Sequence, residues 1–352
     1  MKSRYLDLHN CKALLPNSHG LPILKRLDKC LTYINEENSS TLGSITRLID
    51  RNKQTPPNSK NRLSYSSPIE ISQKANLLTR ELEINSIKGS SDQPALLHVI
   101  LSGEIFWKAV IPLQYLLKGW GNANDGYQCY VHTISYNTGP KMDIEQYLQR
   151  FSTNSKDDYY YVGITGRNWL KRLDEHMSEI RRGNRRRFYS AWKEGLGIND
   201  VQYISVLKHV NKTYEEAMTW EEHAVDKIAY GSQGLNMIAG GFKGLKQLHR
   251  LGLTARENIS LQEREKAITE YIRKYPRAGI PNPLISELWK DDEFYLKVLK
   301  NRNKTLTPDQ VKSIRILNVK GLRIEEITKK VNALNERQVR NVINGITYKR
   351  MD

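Results

Sequence analysis

Apolar and polar residues alternate along the middle of the chain in a pattern that is typical of β-strands. From 127 to 136 the alternation places Tyr130 and His132 on one face. The run 158–165 is rich in aromatic and β-branched residues, and 201–207 is a third stretch of the same kind. These runs predict a three-stranded antiparallel sheet, and with the helices described next they indicate an α+β fold.

Two helices with one apolar side are predicted around these strands. The first has apolar residues at 169, 173, 177 and 180, and its Arg172 and His176 lie four apart on a different stripe. The second begins at the capping-box sequence Thr213-Tyr214-Glu215-Glu216. Glu221 lies beside its inward apolar stripe, so both helices can present polar side chains at the edge of a core.

Composition shifts divide the chain into six predicted segments. They are a helical N-terminal region without an assigned role (1–50), a linker rich in Asn, Ser and Pro (51–68), a second helical region (69–125), the segment with the three strands (126–242), a basic helical connector (243–306) and three short helices (307–350). The second region opens on a helical stretch from about Ile69 to Ile84. The gap between the first two strands exceeds an ordinary hairpin loop, and Asp143 to Phe151 within it can form a short inserted helix.

Charge narrows the class of partner. The chain has 55 Lys and Arg against 38 Asp and Glu, a net charge of +17, and the stretch 241–352 alone holds 24 basic and 13 acidic residues. A surface of this kind suits a polyanion, either nucleic acid or an acidic membrane face. Three cysteines without paired spacing indicate neither a disulfide framework nor a zinc site. The most apolar stretch, 94–120, is interrupted by charges, and no secretory signal is visible, so we expect a cytoplasmic protein that does not enter the membrane.

Two short aromatic signatures on the first two predicted strands resemble those of the GIY-YIG nuclease superfamily. Gln128-Cys129-Tyr130 keeps the tyrosine of the first signature without its Gly-Ile, and Tyr161-Val162-Gly163 nearly completes the second. The family continues with an Arg and a His four residues apart, a Glu on a later helix and an Asn before a glycine-rich loop. The residues at the family's catalytic positions here are Tyr130, Tyr161, Arg172, His176, Glu221 and Asn236. The resemblance covers roughly 126–242 and implies a small GIY-YIG-like catalytic domain.

The resemblance implies hydrolysis of a phosphodiester with one divalent cation, Mg²⁺ or Mn²⁺, held by Glu221. A lone carboxylate suffices because Mg²⁺ keeps most of its waters. Arg172 can direct two donors at the scissile phosphate. Tyr130 would act on the attacking water with Tyr161 in support, and His176 would assist either proton transfer or phosphate binding. An unperturbed tyrosine has a pKa of about 10, so a phenolate base needs help from the cation or from Arg172.

Two further basic groups are predicted to contact double-stranded DNA. The first follows the Arg172 helix and consists of Arg181, Arg182, Arg185, Arg186 and Arg187, which suit backbone phosphates. The second lies in the three short helices after Thr307, which resemble a helix-turn-helix DNA-binding domain. If the third helix reads bases, its exposed donors are Arg337, Gln338, Arg340 and Asn341.

The favoured interpretation is a site-directed DNA endonuclease whose separate modules choose the target, similar to homing-type or phage-borne enzymes. Segment 69–125 is then a possible second targeting module, and a phage-encoded chain would act in a bacterial host cell. No obligate protein partner is expected. Two alternatives stay open: a restriction or repair nuclease of the same fold, and an inactive DNA-binding replication or regulatory protein.

Overall fold

The structure is a computed structural model, and it places most of the chain in two compact units, 1–280 and 281–352. The residues described below are 3–16, 23–37, 44–56, 59, 62–65, 67–103, 106–136, 158–184, 186–196, 201–229, 234–256, 259–275 and 305–348.

A mixed sheet organises the first unit, and within the described residues it has seven strands. They are β1 (Ile69–Asn76), β2 (Glu81–Lys88), β3 (Leu96–Ser102), β4 (Phe106–Pro112), β5 (Tyr127–Tyr136), β6 (Asp158–Thr165) and β7 (Val201–Lys212). Their order across the sheet is β2-β1-β3-β4-β7-β5-β6. The pairs β1/β3 and β4/β7 are parallel, and the other neighbours are antiparallel.

The α+β prediction is confirmed, but the expected sheet of three strands was too small. The three predicted strands are present as β7, β5 and β6, and β4 extends them by pairing with β7. The added strands carry buried polar residues such as Ser72, Gln73, His98 and Lys108. Polar side chains at buried positions remove the apolar signal on which strand prediction depends.

The helix expected from about Ile69 to Ile84 was wrong, because this stretch forms the β1–β2 hairpin. Asn76 closes its turn by accepting hydrogen bonds at Oδ1 from the backbone N–H groups of Leu78 and Thr79. The segment 69–125 therefore supplies strands of the same sheet and is not a helical region. The inserted helix expected within 143–151 lies outside the described residues.

Three N-terminal helices cover one face of the sheet: α1 (Leu8–Leu14), α2 (Ile23–Glu37) and α3 (Ile45–Gln54). Leu27 and Leu31 of α2 are fully buried in a core that also contains Ile71 of β1 and Leu97 of β3. Helix α3 extends into the predicted linker, where Arg62 is also buried. The N-terminal region is thus part of the first unit's core.

Among the described residues of the first unit, the helices that follow are α4 (Trp169–Arg181), α5 (Arg187–Gly195), α6 (Tyr214–Ala224, continued by a π-helical turn at Val225–Ala229), α7 (Gly241–Arg250) and α8 (Leu261–Lys274). The predicted capping box at Thr213 is present at the start of α6. Sequence placed α7 and α8 in a connector outside the nuclease segment. Instead, α7 packs on α6, and both helices belong to the first unit.

The second unit contains the three helices that the sequence predicted: α9 (Pro308–Val319), α10 (Ile324–Lys330) and α11 (Glu336–Ile343). The Thr307 capping box opens α9, and the Asn335 side chain caps α11. Apolar residues of all three helices form one small core, including Ile314, Ile327 and Val339. Within the described residues of both units, no helix is both long and apolar enough to cross a bilayer.

Candidate functional site

Pairing of β5 with β6 brings the two aromatic signatures together. Tyr130 lies opposite Gly163 in the antiparallel register. A Cβ atom on Gly163 would lie 2.5 Å from the Tyr130 hydroxyl oxygen and 2.6 Å from the ring carbon that bears it, far inside contact distance. The glycine of Tyr161-Val162-Gly163 therefore leaves the space that the Tyr130 ring fills. This contact supplies a physical reason for the two signatures to occur together.

A chain of hydrogen bonds holds the Tyr130 hydroxyl. Its oxygen is 3.2 Å from Nε2 of His176, and Nδ1 of His176 is 3.1 Å from the hydroxyl oxygen of Tyr189. Tyr130 and His176 are both buried. Burial raises the pKa of Tyr130, although the Arg172 charge opposes the rise. Burial also lowers the pKa of His176 well below its ordinary value, and Arg172 adds to that effect, so both groups are neutral at pH 7.

Tyr161 belongs to a stack of aromatic rings that lies next to these hydrogen-bonded side chains. Its ring is 4.5 Å from that of Phe188, at an interplanar angle of 19°, and it also stacks with His132. The Nδ1 atom of His132 is 2.9 Å from the Ser205 hydroxyl oxygen. Burial lowers the pKa of His132 to about 3, with a smaller contribution from the Arg172 charge. Sequence alternation placed His132 beside Tyr130 but gave it no role in the site.

Two arginines converge on a single carboxylate. Nη2 of Arg172 is 2.8 Å from one oxygen of Glu265, and Nη1 of Arg186 is 3.1 Å from the other. Arg172 also bonds Glu175 through Nη1 at 2.8 Å. Burial tends to raise the pKa of Glu265, but the two guanidinium groups hold it below its ordinary value. The arginines therefore form a site for an anion with two oxygens, and Glu265 occupies it.

The basic run after α4 does not act as one surface. Arg181 and Arg182 are exposed, and Arg182 pairs with Glu179. Arg186 turns into the anion site instead, and Nη1 of Arg187 donates to the Gly234 carbonyl at 3.1 Å. Arg185 lies outside the described residues. Sequence grouped Arg186 with general phosphate contacts because adjacency along the chain gives no direction to a side chain.

Glu221 is buried with its carboxylate fully engaged at one oxygen. Its Oε2 atom lies 2.6 Å from Nη1 of Arg264 and accepts the Gly241 backbone N–H at 2.8 Å. Gly240 and Gly241 pass so close to the α6 backbone that a Cβ atom on either would collide with it. Glu222, the neighbour of Glu221, instead accepts a hydrogen bond from the backbone N–H of Lys243. The predicted choice of Glu221 over Glu222 is consistent with this placement.

Asn236 fixes the stretch that begins at Gly234. Its side-chain oxygen accepts the Val162 N–H, and its amide donates to the Val162 carbonyl, both at 2.9 Å. The backbone of Leu235 adds a further bond to Tyr160. Asn236 therefore attaches this loop to the edge of β6, next to the second signature, and both its polar atoms are engaged in doing so.

These side chains line one cleft of about 620 Å³ in the first unit, which we call the central cleft. Of the six predicted catalytic residues, five contribute to its wall: Tyr130, Tyr161, Arg172, Glu221 and Asn236. His176 supports Tyr130 through the bond described above. Sequence reasoning missed Arg264 and Glu265, which look like ordinary surface charges on a helix. It also missed Tyr189, whose place beside His176 depends on the packing of α5 against α4.

Glu221 supplies a carboxylate at the cleft wall, a ligand type that Mg²⁺ prefers, but its Oε2 atom already pairs with the Arg264 guanidinium. Among the described residues, no group of three or more His, Cys, Asp or Glu side chains could hold a metal ion. A cation at this position would therefore take one protein carboxylate and complete its coordination with water and substrate oxygens, as Mg²⁺ commonly does.

Hydrolysis of a phosphodiester uses groups of the kinds found here: paired arginines that bind an anion, buried tyrosine hydroxyls and one carboxylate. In agreement, residues 151–233 match the family described as the GIY-YIG catalytic domain, which supports a nuclease of that superfamily. The match includes Tyr161, Arg172, His176 and Glu221; it begins after Tyr130 and ends before Asn236. No curated protein and no solved structure matched the chain.

Proposed function

We propose that this chain is a metal-dependent DNA endonuclease that hydrolyses phosphodiester bonds in the central cleft. The observation that carries the proposal is the convergence of Arg172 and Arg186 on the Glu265 carboxylate, in the cleft that the buried Glu221 also lines. Guanidinium pairs of this kind match the geometry of a phosphate. The family match over 151–233 supports the same reaction.

In this proposal Arg172 and Arg186 bind the scissile phosphate and stabilise the charge that develops on its oxygens. The Tyr130 hydroxyl, held by His176, orients the attacking water. Because burial raises the pKa of Tyr130, it is a neutral hydrogen-bonding group before substrate binds. Mg²⁺ or Mn²⁺ held by Glu221 would supply further positive charge for the phosphoryl oxygens.

Target choice is assigned to the second unit, as a helix-turn-helix module. Arg337 and Arg340 are exposed on α11, and Gln338 and Asn341 are half-exposed beside them. Such donors can reach base edges in a major groove. That 281–352 form a compact unit of their own supports a site-directed enzyme of the homing or phage-borne type, acting on double-stranded DNA in the cytoplasm of a host cell.

One observation favours the alternative of an inactive DNA-binding protein: Arg264 occupies the carboxylate that the cation needs. A pair of matched substitutions tests the proposal. The Glu221→Gln variant should lose Mg²⁺-dependent cutting of mixed genomic DNA, measured by sequencing new ends, while fluorescence anisotropy shows unchanged DNA binding. Glu222→Gln, one residue away, should cut like wild type. Cutting by Glu221→Gln at the wild-type rate would overturn the assignment.

A further inference from the structure

The central cleft already holds an internal ligand, contributed by adjacent residues of α8. Arg264 pairs with Glu221, and Glu265 pairs with Arg172 and Arg186. The positive group thus lies where the proposed cation would bind, and the negative group lies where the proposed phosphate would bind. Both charges of a metal–phosphate substrate are reproduced by one dipeptide.

We propose that α8 is an autoinhibitory helix, which keeps the nuclease site closed until DNA phosphates and the divalent cation displace it. The inference rests on the proposed function, since it names the regulation of that same cleft. In the closed cleft, the Arg264 side chain substitutes for the cation and the Glu265 carboxylate substitutes for the scissile phosphate.

The two contacts are specific to one face of α8. The side chains of Arg264 and Glu221 are 7% and 6% exposed, so water screens their pairing little. On the solvent side of the same helix, Arg273 pairs with Glu270 and is 74% exposed. An exposed pair of this kind contributes little to stability. The buried pair, in contrast, must be broken before a cation can bind the Oε2 atom of Glu221.

Displacement of α8 is physically reasonable because its attachment is limited. Its apolar residues Ala267 and Tyr271 belong to one small cluster and Leu261 packs against another, and both clusters are separate from the main core of the sheet. The buried Arg264 is also incompletely satisfied, since its Nε atom has no hydrogen-bond partner within the part of the chain that is described. Local elements with few apolar contacts are those that open below the global unfolding free energy.

Mn²⁺ titration tests the closed site without any knowledge of the DNA target. Free Mn²⁺ is counted by its electron paramagnetic resonance signal in the presence of the full chain. The Arg264→Ala/Glu265→Ala variant should bind one Mn²⁺ about tenfold or more tighter than wild type, since apparent affinity is reduced by the fraction of protein that is closed. The R264Q/E265Q variant, which removes both charges but keeps polar side chains of similar length, checks the result if the alanine variant fails to fold.

Two controls define the result. The exposed pair on the same helix, in the Glu270→Ala/Arg273→Ala variant, should leave Mn²⁺ affinity at the wild-type value. Adding Glu221→Gln to the double alanine variant should abolish the gain. Equal Mn²⁺ affinity in wild type and in the folded Arg264/Glu265 variants would overturn the inference.

DNA cleavage by the same variants separates the inference from the proposed function. Faster Mg²⁺-dependent cutting by Arg264→Ala/Glu265→Ala than by wild type supports both. Slower cutting would overturn the inference, because it would make Arg264 and Glu265 working parts of the site. If no variant cuts DNA while Mn²⁺ affinity still rises, the proposed function fails and the closed cation site stands.

Discussion

Replacing Gly163 with alanine tests whether the two aromatic signatures are physically coupled. The added Cβ would lie 2.5 Å from the Tyr130 hydroxyl oxygen, so the ring must move. Tyr130 is buried, and its hydroxyl would lose the 3.2 Å bond to His176. Overpacking of a filled core costs about 1–3 kcal/mol, and loss of the hydrogen bond adds about 1 kcal/mol. We therefore expect Gly163→Ala to reduce the free energy of unfolding by about 2–4 kcal/mol.

Urea unfolding followed by circular dichroism measures this loss, with Gly103→Ala as the matched control. A Cβ on Gly103 would meet only Leu77 atoms at 3.6 and 3.9 Å, which are ordinary contacts. This variant should differ from wild type by less than about 1 kcal/mol, because the new contacts are ordinary and alanine restricts the unfolded chain. DNA cleavage by Gly163→Ala should also fall about 100-fold, since small displacements of a positioned group have effects of that size. Equal stability of the two alanine variants, with cleavage intact, would refute the steric coupling.

The remaining predictions concern pH and the loop at Asn236. The pKa of His132 is about 3 in the folded chain against an ordinary 6.5, so the unfolded chain binds more protons below pH 6.5. The free energy of unfolding should therefore fall on acidification, and His132 alone should account for a loss of about 2 kcal/mol between pH 6.5 and 5. Urea unfolding at the two pH values measures this loss. Unchanged stability would contradict the burial of a neutral His132 imidazole. Asn236→Ala removes two bonds to the Val162 backbone and should cost about 1–3 kcal/mol. A loss below about 0.5 kcal/mol would show that the loop is held in some other way.

The sequence predicted correctly those strands and helices in which the pattern of apolar and polar residues agrees with their burial in the folded chain. The strands β5, β6 and β7 and the helix α4 show the expected periodicity, and capping residues marked the starts of α6, α9 and α11. The predicted catalytic residues come together because the motif order fixes which strands and helices carry them. In these regions, propensity, periodicity and packing agree.

The failures have a common physical cause, which is tertiary burial of polar residues. Glu70 and Lys108 are buried in strands β1 and β4, where alternation rules expect apolar side chains. Arg264 and Glu265 carry charges typical of a solvated helix face, and only their partners on other elements reveal their location. No local signal distinguishes a charge that pairs across the fold from one that faces water.

The most direct test of the central claim compares an arginine of the central cleft with an exposed arginine of the same unit. Arg172 lines the cleft and bonds Glu265, whereas Arg273 bonds Glu270 on the solvent side of α8 and is 74% exposed. In single-turnover assays with Mg²⁺, on a DNA fragment that the wild-type chain cuts, Arg172→Ala should lower the cleavage rate by about 100-fold or more. Arg273→Ala should change the rate by less than about threefold, as expected for an exposed ion pair. Cleavage by Arg172→Ala as fast as by Arg273→Ala would contradict the claim that this cleft holds the scissile phosphate.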